Sequence, residues 1–128
     1  MKAVLLDTHV LLWWLQGSNK LSMQARNLIV DPAVRVSVSA ASAWEIAIKF
    51  KAGKLDDGGL LARFHLAMDQ YRFVELQVSV AHAVRAGLLK GAHKDPFDRM
   101  LAAQALVEDV PILSNDRVLD QFSVQRLW

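Results

Sequence analysis

The chain has 128 residues, a formal net charge of +2 and no cysteine, and just over half of its residues are hydrophobic. This length fits one ordinary domain, and the apolar content is enough to form a core, which excludes a disordered chain. The absence of cysteine excludes disulfides, thiolate metal ligands and a cysteine nucleophile, and it suits the reducing cytoplasm, where we expect the protein to act.

The first element is an apolar run from Lys2 to Leu6 that ends at Asp7. It is too short for a helix and predicts a buried strand. Asp7 and His9 interrupt the apolar run, so we do not expect a signal peptide. No other apolar stretch approaches the roughly 20 residues that a membrane helix needs.

The remaining elements alternate between helical and strand patterns, which are distinguished by apolar spacing and by capping residues. Helices are predicted over 8–16, 22–30, from Ser39 or Ser42 to about 51, 60–70, 79–90 and 95–108. Strands are predicted over 35–38, 73–78, 111–114 and 124–127, and a short helical turn over 116–120. This alternation predicts an α/β fold, a parallel sheet with helices on both faces, in a single domain over residues 1–128.

Acidic residues follow several of the predicted strands. Asp7 ends the first strand, Asp116 follows the fourth, and Glu45 lies early in the helix after the second. Ligands of such sheets bind beyond the carboxyl ends of the strands. Carboxylates suit Mg²⁺ and Mn²⁺, and a bound cation can lower the pKa of water and neutralise a phosphate oxygen. The pattern therefore favours phosphodiester hydrolysis.

Each acid also has a structural explanation. Asp98 and Asp116 fall at predicted helix N-termini, where carboxylates satisfy free amides. Glu45 precedes Lys49 by four residues, the spacing of a surface ion pair. Asp7 is harder to explain in this way, because a carboxylate at the end of an apolar strand is costly unless it has a partner or a metal.

Other polar and aromatic residues give weaker signals. The histidines lack metal-ligand spacing; His65 and His82 are expected on helix surfaces, and His93 is a weak candidate for facing substrate. Helical apolar patterns favour core packing for Trp13, Trp14 and Trp44. Four cationic residues flank the acids in sequence: Lys49, Lys51, Lys54 and Arg99. Arg99 directly follows Asp98, so a phosphate contact and a solvated helix residue are both open for it.

Four segments in chain order resemble the successive motifs of PIN domains, in particular the VapC-like toxins of bacterial type II toxin–antitoxin pairs. They are Leu5–His9, Trp44–Lys49, Asp95–Ala105 and Leu113–Asp116. The resemblance implies a three-layer α/β/α fold around a parallel sheet and Mg²⁺- or Mn²⁺-dependent cleavage of RNA. It also implies a homodimer that a cognate antitoxin protein holds inactive.

The resemblance assigns site residues position by position. The four acids that it implies as metal-binding and catalytic groups are Asp7, Glu45, Asp98 and Asp116. Thr8 and Ser114 fall where the family places supporting hydroxyls, and Asp95 lies near the site without being the usual third ligand. Lys49 and Arg99 are the expected contacts to the RNA backbone.

Two rival functions stay open at this point. One is a non-catalytic PIN-like module that only binds RNA or a protein, although the complete acidic set counts against it. The other is a phosphatase of the haloacid-dehalogenase type, with Asp7 as nucleophile. That motif requires a second aspartate two residues later, where this chain has His9.

Overall fold

A computed structural model describes residues 3–128. The strands are β1 (Ala3–Leu6), β2 (Arg35–Ser39), β3 (Val74–Leu76), β4 (Ile112–Leu113) and β5 (Arg126–Leu127). The α-helices are α1 (Thr8–Leu15), α2 (Met23–Val30), α3 (Ala40–Lys51), α4 (Phe64–Gln70), α5 (Val80–Leu88) and α6 (Pro96–Glu108). Two 3₁₀ helices cover Leu61–Arg63 and Arg117–Phe122. Lys2, the predicted start of the first strand, lies outside the described residues.

The five strands form one parallel sheet in the order β3-β2-β1-β4-β5. The central strand β1 is apolar throughout because both of its faces are covered. Val4 and Leu6 belong to one hydrophobic cluster, with side chains of α1 and α2. Leu5 points the other way, into a second cluster with Leu101 of α6. Helices therefore cover both faces, which confirms the predicted α/β/α arrangement.

Capping side chains set the starts of several helices. The Ser22 hydroxyl accepts a hydrogen bond from the Ala25 amide at 3.0 Å, and Asp95 caps α6. Of the two serines predicted to start α3, Ser39 is the cap, accepting from Ala41 at 3.0 Å. Pro96 occupies the first turn of α6, where its missing N–H is not needed.

Several predicted elements differ from the structure. The strands predicted over 111–114 and 124–127 contain only two residues each, Ile112–Leu113 and Arg126–Leu127. The helix predicted over 60–70 is divided into a 3₁₀ turn and α4. The strand predicted over 73–78 is only three residues long, because β3 is an edge strand that pairs with β2 alone. Leu76 pairs with Ser39, the last residue of β2, and the chain continues from Ser39 directly into α3. Val74 and Val78 are consequently exposed, whereas Phe73 is buried.

Two side chains lie elsewhere than the helical patterns predicted. His82 is buried rather than on a surface, because it completes the capping box of α5 with Ser79 and contacts Glu108 at 2.9 Å. Trp44 is 64% exposed rather than in the core, and it packs edge-on against Phe97. Across residues 3–128, no helix is both long enough and apolar enough for a membrane span.

Candidate active site

Asp7 lies where the central strand passes into α1. Its side chain is 4% exposed and accepts a hydrogen bond from the Ser114 hydroxyl, with 2.7 Å between the oxygens. Ser114 follows the neighbouring strand β4, and its hydroxyl oxygen accepts from the Asp116 amide at 3.0 Å. Burial raises the pKa of Asp7, and the hydrogen bond from Ser114 opposes that rise only in part.

Glu45 approaches the same edge of the sheet from the middle of α3. It is buried, and its Oε2 lies 2.6 Å from the Lys49 ammonium. The pair therefore differs from the surface ion pair that the spacing suggested, because one partner is inside the protein. Burial is the main cause of the raised pKa of Asp7, and the charge of Glu45 adds a small further rise.

The predicted supporting hydroxyl of Thr8 has a packing role. Its Oγ1 donates to the Ser42 hydroxyl at 2.9 Å, and both side chains are buried. This bond joins α1 to α3 and so fixes the helix that carries Glu45 relative to the strand end that carries Asp7.

Asp98 lies in the first turn of α6. Its carboxylate Oδ2 is 2.7 Å from His93 Nε2, and Asp95 Oδ1 accepts from the Phe97 and Asp98 amides. Burial raises the pKa of Asp98; the hydrogen bond with His93 opposes this rise, and the charges of Asp95 and Asp7 add to it. Asp98 therefore belongs to the same electrostatic cluster as Asp7.

The tightest potential metal-binding group within residues 3–128 is His93, Asp95 and Asp98, whose donor atoms lie within 4.8 Å of one another. In the described part of the chain, the predicted set of four acids does not come together at that distance. Asp116 is exposed, and its Oδ1 caps the second 3₁₀ helix by accepting from Val118 at 3.0 Å.

The donor chemistry fits a hard divalent cation. Asp7, Glu45 and Asp98 supply carboxylate oxygens, the ligands that Mg²⁺ and Mn²⁺ prefer. Mutual repulsion contributes to the raised pKa values of Asp7 and Asp98, and a bound cation would relieve it. Lys49 already places one positive charge there. Its pKa is raised chiefly by the hydrogen bond with Glu45, and the charges of Glu45, Asp95 and Asp98 add to the rise.

Arg99 has a different role from either of the two predicted for it. It is partly buried, and its guanidinium donates to the carbonyl oxygens of His93 at 2.8 Å, of Gly91 and of Leu89. It also lies over the Phe122 ring, 5.3 Å from the centroid. The expectation of a solvated helix residue is therefore wrong, and these contacts give no support to a phosphate contact. Arg99 instead holds the loop that presents His93 to Asp98.

His93 is the site residue that the sequence identified least clearly. Its amide donates to Gln121 Oε1 at 2.9 Å, so the loop is fixed by a residue 28 positions away. A histidine five residues before a candidate ligand, at the entrance to the same helix, was the available signal. Spacing alone could not show that its ring turns back onto Asp98.

Comparison with known proteins places this geometry in a family. The family model of the PIN domain matches residues 4–124. The chain is 31% identical to Ribonuclease VapC22 of Mycobacterium tuberculosis (strain ATCC 25618 / H37Rv) over 120 residues, which cover 93% of this chain and 91% of that protein.

Solved structures share the fold of this chain. VapBC-1 from nontypeable Haemophilus influenzae has a TM-score of 0.72 at 18% identity, covering 98% of this chain and 96% of that one. VapBC2 from Rickettsia felis, bound to a DNA fragment from its promoter, has a TM-score of 0.70 at 15% identity, covering 98% and 97%. At these identities the likeness concerns the fold, whereas the family model and the ribonuclease relative concern the sequence. This chain belongs to the PIN domain family.

Proposed function

We propose that this chain is a metal-dependent endoribonuclease and the toxin of a toxin–antitoxin pair, with residues 1–128 forming one PIN domain. The observation that carries the proposal is the buried carboxylate of Asp7 at the carboxyl end of β1, whose pKa is raised by burial and to a smaller extent by the charge of Glu45. The charge of Asp7 in turn contributes to raising the pKa of Asp98. The 31% identity to a protein named as a ribonuclease supports RNA as the substrate.

Each residue of the site has a part in this proposal. Asp7, Glu45 and Asp98 would hold Mg²⁺ or Mn²⁺, directly or through water, and Asp116 would complete the acidic set. When bound, such a cation supplies an activated water and neutralises charge on the phosphate. Ser114 orients Asp7 through its hydrogen bond, Asp95 fixes the first turn of α6 below Asp98, and Lys49 attracts the RNA backbone.

The proposed partners are an antitoxin and a second copy of the chain. Support for the antitoxin is the similarity to structures titled as VapBC and FitAB assemblies. Support for a homodimer is an exposed apolar stripe on α5, formed at helical spacing by Val80, Val84 and Leu88. Light scattering of Val84→Glu beside the wild type tests this: the variant should be monomeric, and an unchanged mass would contradict the assignment of this face.

Replacement of Asp7 tests the proposed activity. Asp7→Asn keeps the shape and the hydrogen-bond acceptor but removes the charge that the cation needs. We expect RNA cleavage to disappear while the fold is retained. Asp109→Asn is the matched control, because Asp109 is exposed at the opposite end of α6, about 16 Å along the helix from Asp98. Undiminished cleavage by Asp7→Asn would contradict the proposal.

The two rivals predict different outcomes for the wild type. A non-catalytic module would bind RNA without cleaving it at any metal concentration. An aspartate-nucleophile phosphatase would form a covalent phosphate on Asp7, which mass spectrometry of the denatured protein would detect. His9 at the place of the second aspartate counts against the phosphatase.

A further inference from the structure

A cavity of about 270 Å³ lies beside the acidic cluster. Its apolar wall is formed by Leu12, Ile46 and Leu55, and its polar wall includes His9, Lys49 and Lys54. This volume is close to the lower end of the range for cavities that hold small ligands, about 300 to 1,000 Å³. The cavity therefore suits one small group with an apolar face and a negative charge.

Two of the lining residues connect the cavity to the candidate active site. Thr8, which also lines it, directly follows Asp7, and Lys49 is paired with Glu45 at 2.6 Å. The ammonium of Lys49 has three donors, and its contact with Glu45 leaves others for a ligand. A ligand group bound in the cavity would therefore lie next to a ligand group bound at Asp7 and Glu45.

The end of α3 places a second lysine beside the first. The helix ends in a Schellman motif, in which the amide of Gly53 donates to Phe50 at 3.0 Å and the amide of Lys54 donates to Lys49 at 2.9 Å. Gly53 allows this reversal because its φ is +72°. The motif returns the chain over the last turn, so that Lys54 and Lys49 line the same cavity.

Lys54 is exposed, and across residues 3–128 no carboxylate lies within ion-pair distance of its ammonium. The positive charges of Lys54 and Lys49 repel each other when both line one cavity. An anion bound at the rim would relieve this repulsion and would be stabilised by both lysines. A flat apolar group fits the leucine and isoleucine wall. An anionic phosphate joined to a flat base is the chemistry of a nucleotide.

We propose that this cavity is a subsite for one nucleotide of the RNA strand, next to the phosphate that is cleaved. The base contacts Leu12, Ile46 and Leu55, and the phosphate is held by Lys54 together with Lys49. His9 offers a further donor at the rim. This inference rests on the proposed ribonuclease function, because it assigns the neighbouring carboxylates to the scissile phosphate.

Binding of a labelled random-sequence single-stranded RNA pool tests the subsite. Fluorescence anisotropy in chelator, across a series of salt concentrations, measures affinity without relying on cleavage. We expect Lys54→Ala to weaken binding about threefold to tenfold at low salt and to reduce the salt slope by about 0.7, the value for one phosphate contact on a single strand. Lys51→Ala is the matched control, because Lys51 is exposed at the last residue of α3, three positions before Lys54, and does not line the cavity.

A second variant tests the apolar wall. Leu55→Phe narrows the cavity without changing charge, and we expect KM for RNA cleavage to rise several-fold while kcat and the unfolding temperature stay close to wild type. Equal KM values for this variant and the wild type would contradict the base-binding part of the proposal.

The outcomes separate the subsite from the function. If Lys54→Ala and Lys51→Ala have the same affinity and salt slope as the wild type, the subsite is wrong even where RNA is cleaved. If the wild type binds RNA and loses affinity through Lys54→Ala but never cleaves, the ribonuclease function fails and the nucleotide site stands. A wild type that binds no single-stranded RNA in chelator at any salt, and cleaves none when Mg²⁺ or Mn²⁺ is added, overturns both.

Discussion

Replacing Asp7 by asparagine should separate the stability of this protein from its activity. The side chain is almost completely buried, and the cost of burying its charge exceeds the gain from the Ser114 hydrogen bond, so that its pKa is raised. Asparagine is nearly isosteric, uncharged and still able to accept that bond. In the absence of metal at pH 7 we expect Asp7→Asn to increase the free energy of unfolding by on the order of 1 kcal/mol.

The pH dependence of this difference follows from the direction of the pKa shift. An unfolded aspartate loses its proton near pH 4, whereas folded Asp7 loses it at a higher pH. Between the two pKa values the folded chain binds more protons, so the stability of the wild type falls as pH rises. The loss is about 1.4 kcal/mol for each unit between the two values. Below both values this contribution to wild-type stability is fully present.

Urea unfolding of both proteins in chelator, from about pH 4 to about pH 8, measures the difference. Asp109→Asn serves as the control, since Asp109 is exposed at the far end of α6 and its replacement should change the free energy of unfolding only slightly. Burial does not penalise the charge of Asp7 if Asp7→Asn is less stable than the wild type at pH 7, or if the difference in the free energy of unfolding does not grow as pH rises.

Four further predictions concern the surroundings of Asp98 and the cation. Asp95→Ala should lower the free energy of unfolding by about 0.5 to 2 kcal/mol through loss of the α6 cap, measured by urea; no change would contradict the cap. Gly91→Ala should lower the free energy of unfolding by about 1 to 3 kcal/mol, because the φ of Gly91 is +129° and the new Cβ would lie 2.8 Å from Gln121 Oε1. Gly87→Ala is the control; it has open space around it and should leave the free energy of unfolding unchanged or raise it. Arg99→Lys should lower kcat for RNA cleavage more than it raises KM, because the compact ammonium cannot span the three carbonyls that the guanidinium fork reaches; a change in KM alone would instead indicate a substrate contact. Saturating Mn²⁺ should raise the unfolding temperature of the wild type but not of Asp7→Asn, and an equal rise in both would place the cation elsewhere.

The sequence predicted those parts of the fold that local patterns determine. The Asp95–Pro96 pair marked the start of α6, and Ser79 marked the start of α5, because caps act within one helical turn. The length of β3 was predicted incorrectly because it depends on where a different strand, β2, stops offering partners. The position of Trp44 likewise depends on which face of α3 has neighbours.

The site was predictable to a similar extent. Asp7 could be identified because a carboxylate closing an apolar strand is costly wherever the strand lies. The contact between His93 and Asp98 could not, because it depends on a loop that Arg99 and Gln121 hold through backbone contacts distant in sequence. The sequence also could not show that Lys49 and Lys54 line the same cavity, because this depends on the chain reversal at the end of α3.

In the proposed function, Asp7 and the acids around it bind a divalent cation that RNA cleavage requires. The most direct measurement is the cleavage of single-stranded RNA by protein freed of metal with a chelator, before and after Mg²⁺ or Mn²⁺ is restored, for the wild type and Asp7→Asn. We predict no cleavage in chelator, full recovery with the cation in the wild type, and no recovery in the variant. Cleavage by the wild type that continues unchanged in chelator would show that the reaction does not require a divalent cation.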